Sequence, residues 1–433
     1  MTRQRRAQER RQNEMDGGRD HPLRVTLSEL MHLRALPLDR APVRLRQWVY
    51  LVDPDERAAE AAFVALFAPG QDPALGRVIV ANQDGGWLWE RHQEFSTWTG
   101  FAYGDLGSDL GFQPQPESSV FWLDGAPGQV FRGVEISVSA PGAQPPTDAA
   151  LGRHIDLQRC VSCEVFDGAA RIWTDFRLRE GGTGRIHVQN LTLANDEVSR
   201  LVQTLLEIGN YRKLALIGFP PARELLAWLD GAEARLAGIT SGLAAGEDSQ
   251  AVLDRLLALS AEVELRAARS RFRRGATESY HRLTLDRLEA LRERRIPGHS
   301  TMSEFIARRL LPAMRTREAA DRRLDDLSLR IARSGDLLRT KLGLAQDRQN
   351  QETLRGMDAS LQLQTKLQGL VEGLSIFAVG YYVLGLLGYL LKPWLHGWPD
   401  LAEHLLSALV PLVLIVVAAS LHRRKKRLID GAH

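Results

Sequence analysis

Near its end the chain carries two runs without a single charge, and these limit the possible folds more than anything else in it. Residues 374–391 read LSIFAVGYYVLGLLGYLL and residues 405–421 read LLSALVPLVLIVVAASL. An α-helix crosses the hydrocarbon core of a bilayer with about 17–25 apolar residues, so each run is close to one span. The connecting KPWLHGWPDLAEH places Trp394 and Trp398 at an interfacial level, and Pro393, Gly397 and Pro399 suit a turn. The five consecutive basic residues 423–427 follow the second run, against one lysine in the connection. The positive-inside rule then predicts a two-span hairpin with both termini in the cytoplasm. Gly373, Gly380 and Gly388 fall on one stripe of the first span, where small residues let helix backbones approach closely; we read them as membrane-packing positions.

Upstream, residues 301–372 contain one proline, Pro312. Leu324, Leu327, Ile331 and Leu338 follow a heptad-like stripe, resumed by Leu354, Met357 and Leu361 and then interrupted by Gln364 and Gln368. A stalk helix continuous with the first span is expected. Its stripe calls for a partner, either a helix from 196–295 or the same stalk in a second copy, and a homo-oligomer through stalk and first span is the expectation. Residues 194–372 read as helical throughout. Val198, Leu201, Val202, Leu205 and Leu206 keep the amphipathic period, with Asn195 as a cap, and Pro220 and Pro221 open a second helix. A third covers 249–295, RRIPGHS breaks the chain, and Ser300 with Glu304 restarts it. RAARSRFRRGATESYHR (266–282) is flanked by acids and reads as a salt-bridged helix face.

Residues 21–193 have a different texture. VRLRQWVYLV, GRVIVAN, QVFRGVEISVSA, CVSCEVF, ARIWTDFRL and GRIHVQNLTL read as strands, separated by breaks such as QDGG, FDGA and EGGTG, and DERAAEAAFVALF reads as a helix. The predicted fold class is an α+β cytoplasmic domain with a largely antiparallel sheet, followed by long helices, a coiled-coil stalk and the C-terminal hairpin. The predicted divisions are a disordered tail (1–20), the α/β domain (21–193), the helical and stalk region (194–372) and the hairpin with its basic end (373–428). The net charge is only +3 with 56 basic residues, which argues against a nucleic-acid partner, and two cysteines suit a reducing compartment.

The candidate chemistry is concentrated in WLWERHQEFSTWT (87–99). A strand there places Glu90, His92 and Glu94 on one face, and imidazole with carboxylates is a divalent-metal donor set. Alternate residues lie roughly 6.5–7 Å apart on a strand, so the three need help from another segment, such as His32, His154, Asp175 or His187. The alternative is an ion-paired sheet face. No cofactor is called for, and a divalent metal is the one candidate. Cys160 and Cys163 lack a second Cys-x-x-Cys pair and read as free, buried or half-buried thiols. There is no phosphate loop, nucleophile elbow or His-Glu-x-x-His helix.

WERHQEFSTWTGF (89–101), LVQTLLEIGNYRKLALIGFPPAREL (201–225), SRFRRGATESYHRL (270–283), EFIARRLLPAMRT (304–316) and LQGLVEGLSIFAVGYYVLGLLGYL (367–390) resemble, in that order, a bacterial family of predicted membrane-anchored proteins, domain of unknown function 3422. Where that family opens with His-Ala-Arg-Pro, this chain has His32-Leu33-Arg34-Ala35. The resemblance implies a bacterial inner-membrane location and no established activity. The order of elements is also similar to CorA-type divalent-cation channels, whose Gly-Met-Asn signature is replaced here by GYLLKPWLHGWPD. The expected function is therefore an oligomeric binding or scaffold module on a membrane anchor. A CorA-like channel or transporter and a metal-dependent enzyme are the alternatives, with Glu90, His92 and Glu94 as the site in the second case.

Overall fold

The computed structural model describes residues 21, 24, 28, 36–112, 125–391, 407–420 and 423. The expected tail (1–20), His32, the turn with Trp394 and Trp398, and the basic residues 424–427 lie outside the described residues. The chain divides into two units. The first holds residues 1–247 and 254–332, and the second holds 248–253 and 333–433.

In the first unit, nine strands form one mixed sheet in the order β2-β3-β4-β1-β5-β8-β7-β6-β9. They are β1 (Val43–Leu51), β2 (Arg77–Asn82), β3 (Gly85–Arg91), β4 (Phe95–Tyr103), β5 (Gln129–Val138), β6 (Val161–Val165), β7 (Ala170–Thr174), β8 (Thr183–Asn190) and β9 (Arg294–Arg295). The named strands pair antiparallel except β5 and β8. A parallel pair needs a long crossover, and the chain supplies it with residues 139–182, which carry β6 and β7.

Side-chain alternation gives the sheet two different faces. Val43, Leu45, Val134, Ile136, Ile186, Val188, Ile172 and Cys163 share one apolar face. Helix α3 (Asn195–Leu216) packs there through Leu201, Val202, Leu205 and Ile208, followed by Met302, Ile306 and Leu310 from α6 (Met302–Leu391). On the other face Trp87, Trp89 and Trp98 meet α1 (Arg57–Phe67), where the buried Glu60 accepts the Trp89 indole N–H at 3.2 Å. Five residues, Asp148–Gly152, form α2. Helices α4 (Phe219–Ala245) and α5 (Ser249–Ala290) lie between α3 and α6.

Both sheet edges are occupied. At β2 the Gln71 amide acts on both backbone groups of Ile79: its Nε2 donates to the Ile79 carbonyl at 2.5 Å and its Oε1 accepts the Ile79 N–H at 3.2 Å. At the far edge stands β9, two arginines long.

Three local expectations need correction. The 87–99 stretch is a hairpin, not one strand. β3 ends at Arg91, β4 starts at Phe95, and the His92 N–H closes the turn on the Phe95 carbonyl at 2.8 Å. Nothing in His92-Gln93-Glu94 is a glycine or proline, so the usual turn signal is missing. Helix α6 is capped by Thr301 rather than Ser300: its hydroxyl accepts the Glu304 N–H at 3.1 Å while Glu304 accepts the Thr301 N–H at 3.2 Å. Asn195 is the first residue of α3, not its cap; that place belongs to Ala194, whose N–H goes to Glu197 at 3.1 Å.

The stalk stripe finds part of its partner within its own chain. Leu324, Leu327 and Ile331 are buried in the first unit, where Arg323 pairs with Asp230 (2.8 Å) and Glu233 (2.9 Å) of α4, and Arg274 of α5 pairs with Asp325 (2.7 Å). In the second unit α6 carries a long apolar stretch, of which 6% is buried. It is the one helix among the described residues long and apolar enough to cross a membrane. A shorter apolar helix, α7, covers Ser407–Ser420. A Cβ added at Gly380 would stand 2.7 Å from Leu414 Cδ2 of α7, whereas Gly373 has open space around it. Gly388 lies in α6 and is partly buried.

Candidate ligand cavity on the sheet

Glu90, His92 and Glu94 do not converge. Glu90 is the penultimate residue of β3 and meets Arg77 of β2 at 3.3 Å. The His92 ring stacks on Phe95 with centroids 4.2 Å apart. Glu94 receives both guanidinium nitrogens of Arg273 from α5, at 2.6 and 3.2 Å. Glu94 also takes a hydrogen bond from Tyr280, whose phenol is pushed upward by burial and by that carboxylate. From the other side Arg57 donates to the His92 and Gln93 carbonyls at 3.2 and 3.1 Å. The geometry is that of a turn clamped between α1 and α5, and bidentate Arg–carboxylate pairing is the strong form of that clamp. Among the described residues no group of three His, Cys, Asp or Glu is placed to hold a metal ion.

The proposed helper residues are engaged elsewhere. Asp175 accepts the Asp156 and Arg177 N–H groups at 2.8 and 2.9 Å and pairs with Arg179. His187 Nδ1 lies 2.9 Å from Ser137 Oγ. Both are buried on the sheet face opposite α3, and burial pushes the imidazole down to about 4. A Ser–His contact resembles half of a nucleophile–base pair, but this one is sealed from solvent and serves the core. Cys160 and Cys163 are free thiols; burial pushes the first up to about 11 and the second also upward, so neither is activated.

A deeper candidate lies elsewhere, on the face that carries the tryptophans. A cavity of about 340 Å³ is lined by Arg44 and Arg46 of β1, Trp87 of β3, Gly100 and Ala102 of β4, Glu135 of β5, and Phe112. The small residues of β4 make the hollow: Gly100 faces Arg46 and Ala102 faces Arg44 across the ladder, so long side chains stand beside near-bare backbone. One wall is a chain of charges. Glu135 bridges Arg46 and Arg185, the latter at 3.1 Å. Arg185 in turn donates to His154 Nδ1 at 3.0 Å. A guanidinium cannot accept, so Nδ1 must, and the His154 proton sits on Nε2, 3.8 Å from Asp109. Burial, with Arg185 beside it, lowers the His154 pKa and keeps the ring neutral. Arg44 Nε is buried without a hydrogen-bond partner in this wall.

These residues were missed in the sequence. The signal was present in VRLRQWVYL, where two arginines alternate with core residues and so must face a second, polar environment on the sheet.

No curated protein and no solved structure matches the chain, so the CorA-type likeness stands on element order alone. A family match, in contrast, covers residues 19–428, nearly the whole length and every element described above; the chain belongs to the family described as protein of unknown function (DUF3422).

Proposed function

We propose that this protein is a membrane-anchored binding module. The sheet unit takes up a small ligand in the Arg44–Arg46–Trp87 cavity. The second unit holds the chain in the bacterial inner membrane through a two-span hairpin, with both termini cytoplasmic. The observation that carries the anchoring is the exposure of the 374–391 segment: Leu374, Phe377, Tyr381, Leu386 and Tyr389 are all more than half exposed. A core helix of a soluble protein buries such side chains, each burial contributing about 1.5–3 kcal/mol. Here only 6% of the most apolar window is buried within the chain, and a bilayer would cover the rest. Copies of the chain then pair through the stripe at Leu354, Met357 and Leu361, which stands exposed on α6.

The ligand class follows from the lining. Trp87 and Phe112 offer a ring-sized apolar wall, and Arg44 offers a buried donor in need of an acceptor.

Membrane fractionation tests the anchor. The full chain is expected in the carbonate-resistant membrane pellet, and Leu361→Cys is expected to cross-link to a dimer there. Recovery of a monodisperse, detergent-free soluble chain would overturn the reading. Cation flux in proteoliposomes would favour a channel instead.

A further inference from the structure

On the opposite face of the same sheet, between β5, β8 and α3, lies a second cavity of about 100 Å³. Register separates the two faces of the sheet: Val134, Gly184 and Ile186 line this cavity, whereas Glu135, with which Arg185 pairs, belongs to the charged wall described above. Five cationic residues line it: Arg177 and Arg185, which pair with Asp156 and Glu135, and a further three, Arg132 of β5 with Arg212 and Lys213 of α3. Among the described residues none of the three forms an ion pair with a carboxylate, although most arginines of this unit do.

We propose that this cavity binds one small phosphate-class oxyanion, held by Arg132, Arg212 and Lys213. The arrangement is built rather than incidental. Arg132 is 6% exposed and is fixed by neutral groups only: it donates to Asn210 Oδ1 at 2.6 Å, and Asn210 in turn donates to Gln47 Oε1 at 2.9 Å. Gly209 makes the space, since a Cβ there would fall 2.0 Å from Arg132 Nη2. Arg212 lies over the Phe176 ring at 4.5 Å, and its Nε is buried with no hydrogen-bond partner. Phe176 holds a left-handed φ of 56°, a conformation that costs a non-glycine residue of order 1–3 kcal/mol, and its ring stacks on Phe305 at 4.5 Å.

Charge makes the case for an anion. Burial and the neighbouring cations depress all three groups, Arg132 to about 9 and Arg212 to about 10, which still leaves both arginines protonated at neutral pH. Buried like charges without a counter-charge destabilise a fold, and a bound anion removes that penalty. Guanidinium forks match tetrahedral and planar oxyanions, and the volume suits a single phosphate group rather than a nucleotide.

The experiment is thermal unfolding of the full chain in detergent, titrated with inorganic phosphate against sodium chloride at equal ionic strength. Phosphate is expected to raise the melting temperature by about 3–5 °C at a large excess over Kd. Arg212→Met is expected to weaken the apparent affinity at least tenfold and, in phosphate-free buffer, to melt no lower than the unsubstituted chain. Lys213→Met, at a half-buried position, serves where Arg212→Met fails to fold. A phosphomonoester run in parallel distinguishes the source: tighter binding of the ester assigns the anion to a larger ligand, tighter binding of inorganic phosphate to the free ion, and either supports the site. Equal responses to phosphate and chloride, or an undiminished phosphate response in both variants, would overturn it.

Discussion

Along the single helix α6 the same kind of apolar stripe meets two different fates. Leu324, Leu327 and Ile331 are sealed at 5% exposure or less by helices of their own chain, while Leu354, Met357 and Leu361, some thirty residues on, are each more than half exposed. The ion pairs change in the same way. Asp321 is buried with Arg317, whereas Asp336 and Arg339 meet at 3.6 Å in solvent and add little. Heptad spacing therefore states that a partner exists without stating which one. The first stretch is matched inside the fold; the second stands exposed on its own chain.

Truncation of each stripe probes that contrast most directly. Leu327→Ala is expected to cost about 2–5 kcal/mol by denaturant unfolding. Met357→Ala is expected to stay within about 0.5 kcal/mol in dilute detergent. Equal losses would break the comparison and show the distal stripe to be covered already.

A second test uses pH, since the titratable His187 sits in the sheet core and has no counterpart in the distal part of α6. The folded-state pKa is depressed to about 4 from 6.5, so the folded form binds fewer protons than the unfolded one. Its contribution is complete above pH 6.5 and is lost as pH falls toward 4, roughly 3 kcal/mol at most. The stability of the sheet unit is expected to fall accordingly as pH drops between those values, and His187→Gln should flatten the slope.

The smallest effect concerns the second unit. Gly380→Leu forces a side chain onto Leu414 and is expected to cost about 1–3 kcal/mol of packing between α6 and α7. Unfolding of the sheet unit should be unchanged, and Gly373→Leu, with open space around it, should be neutral.

The helices were legible because period and proline placement act over many residues: the ends of α3, α4 and α5 fall within a few positions of those expected. Strand existence was legible for the same reason. What escaped were features set by one or two residues or by distant contact. The turn at His92–Glu94 is held by Arg57 and Arg273, which no local pattern reveals. β9 is too short to show alternation. The two cavities depend on which strands become neighbours, and the parallel β5–β8 pairing joins segments some fifty residues apart. Arg44, Arg46 and Arg132 were visible only as charges interrupting apolar strands.

The treatment of the sheet edges has a consequence for the anchoring proposed above. An anchor confines copies of a protein to two dimensions and keeps them in frequent collision, the condition under which open strands recruit one another into aggregates. At one border of this sheet Gln71 supplies, from a single side chain, the donor and acceptor that an incoming strand would use. At the other, the terminal strand offers an intruder two arginines and little length. Crowding is thereby made less dangerous to the sheet.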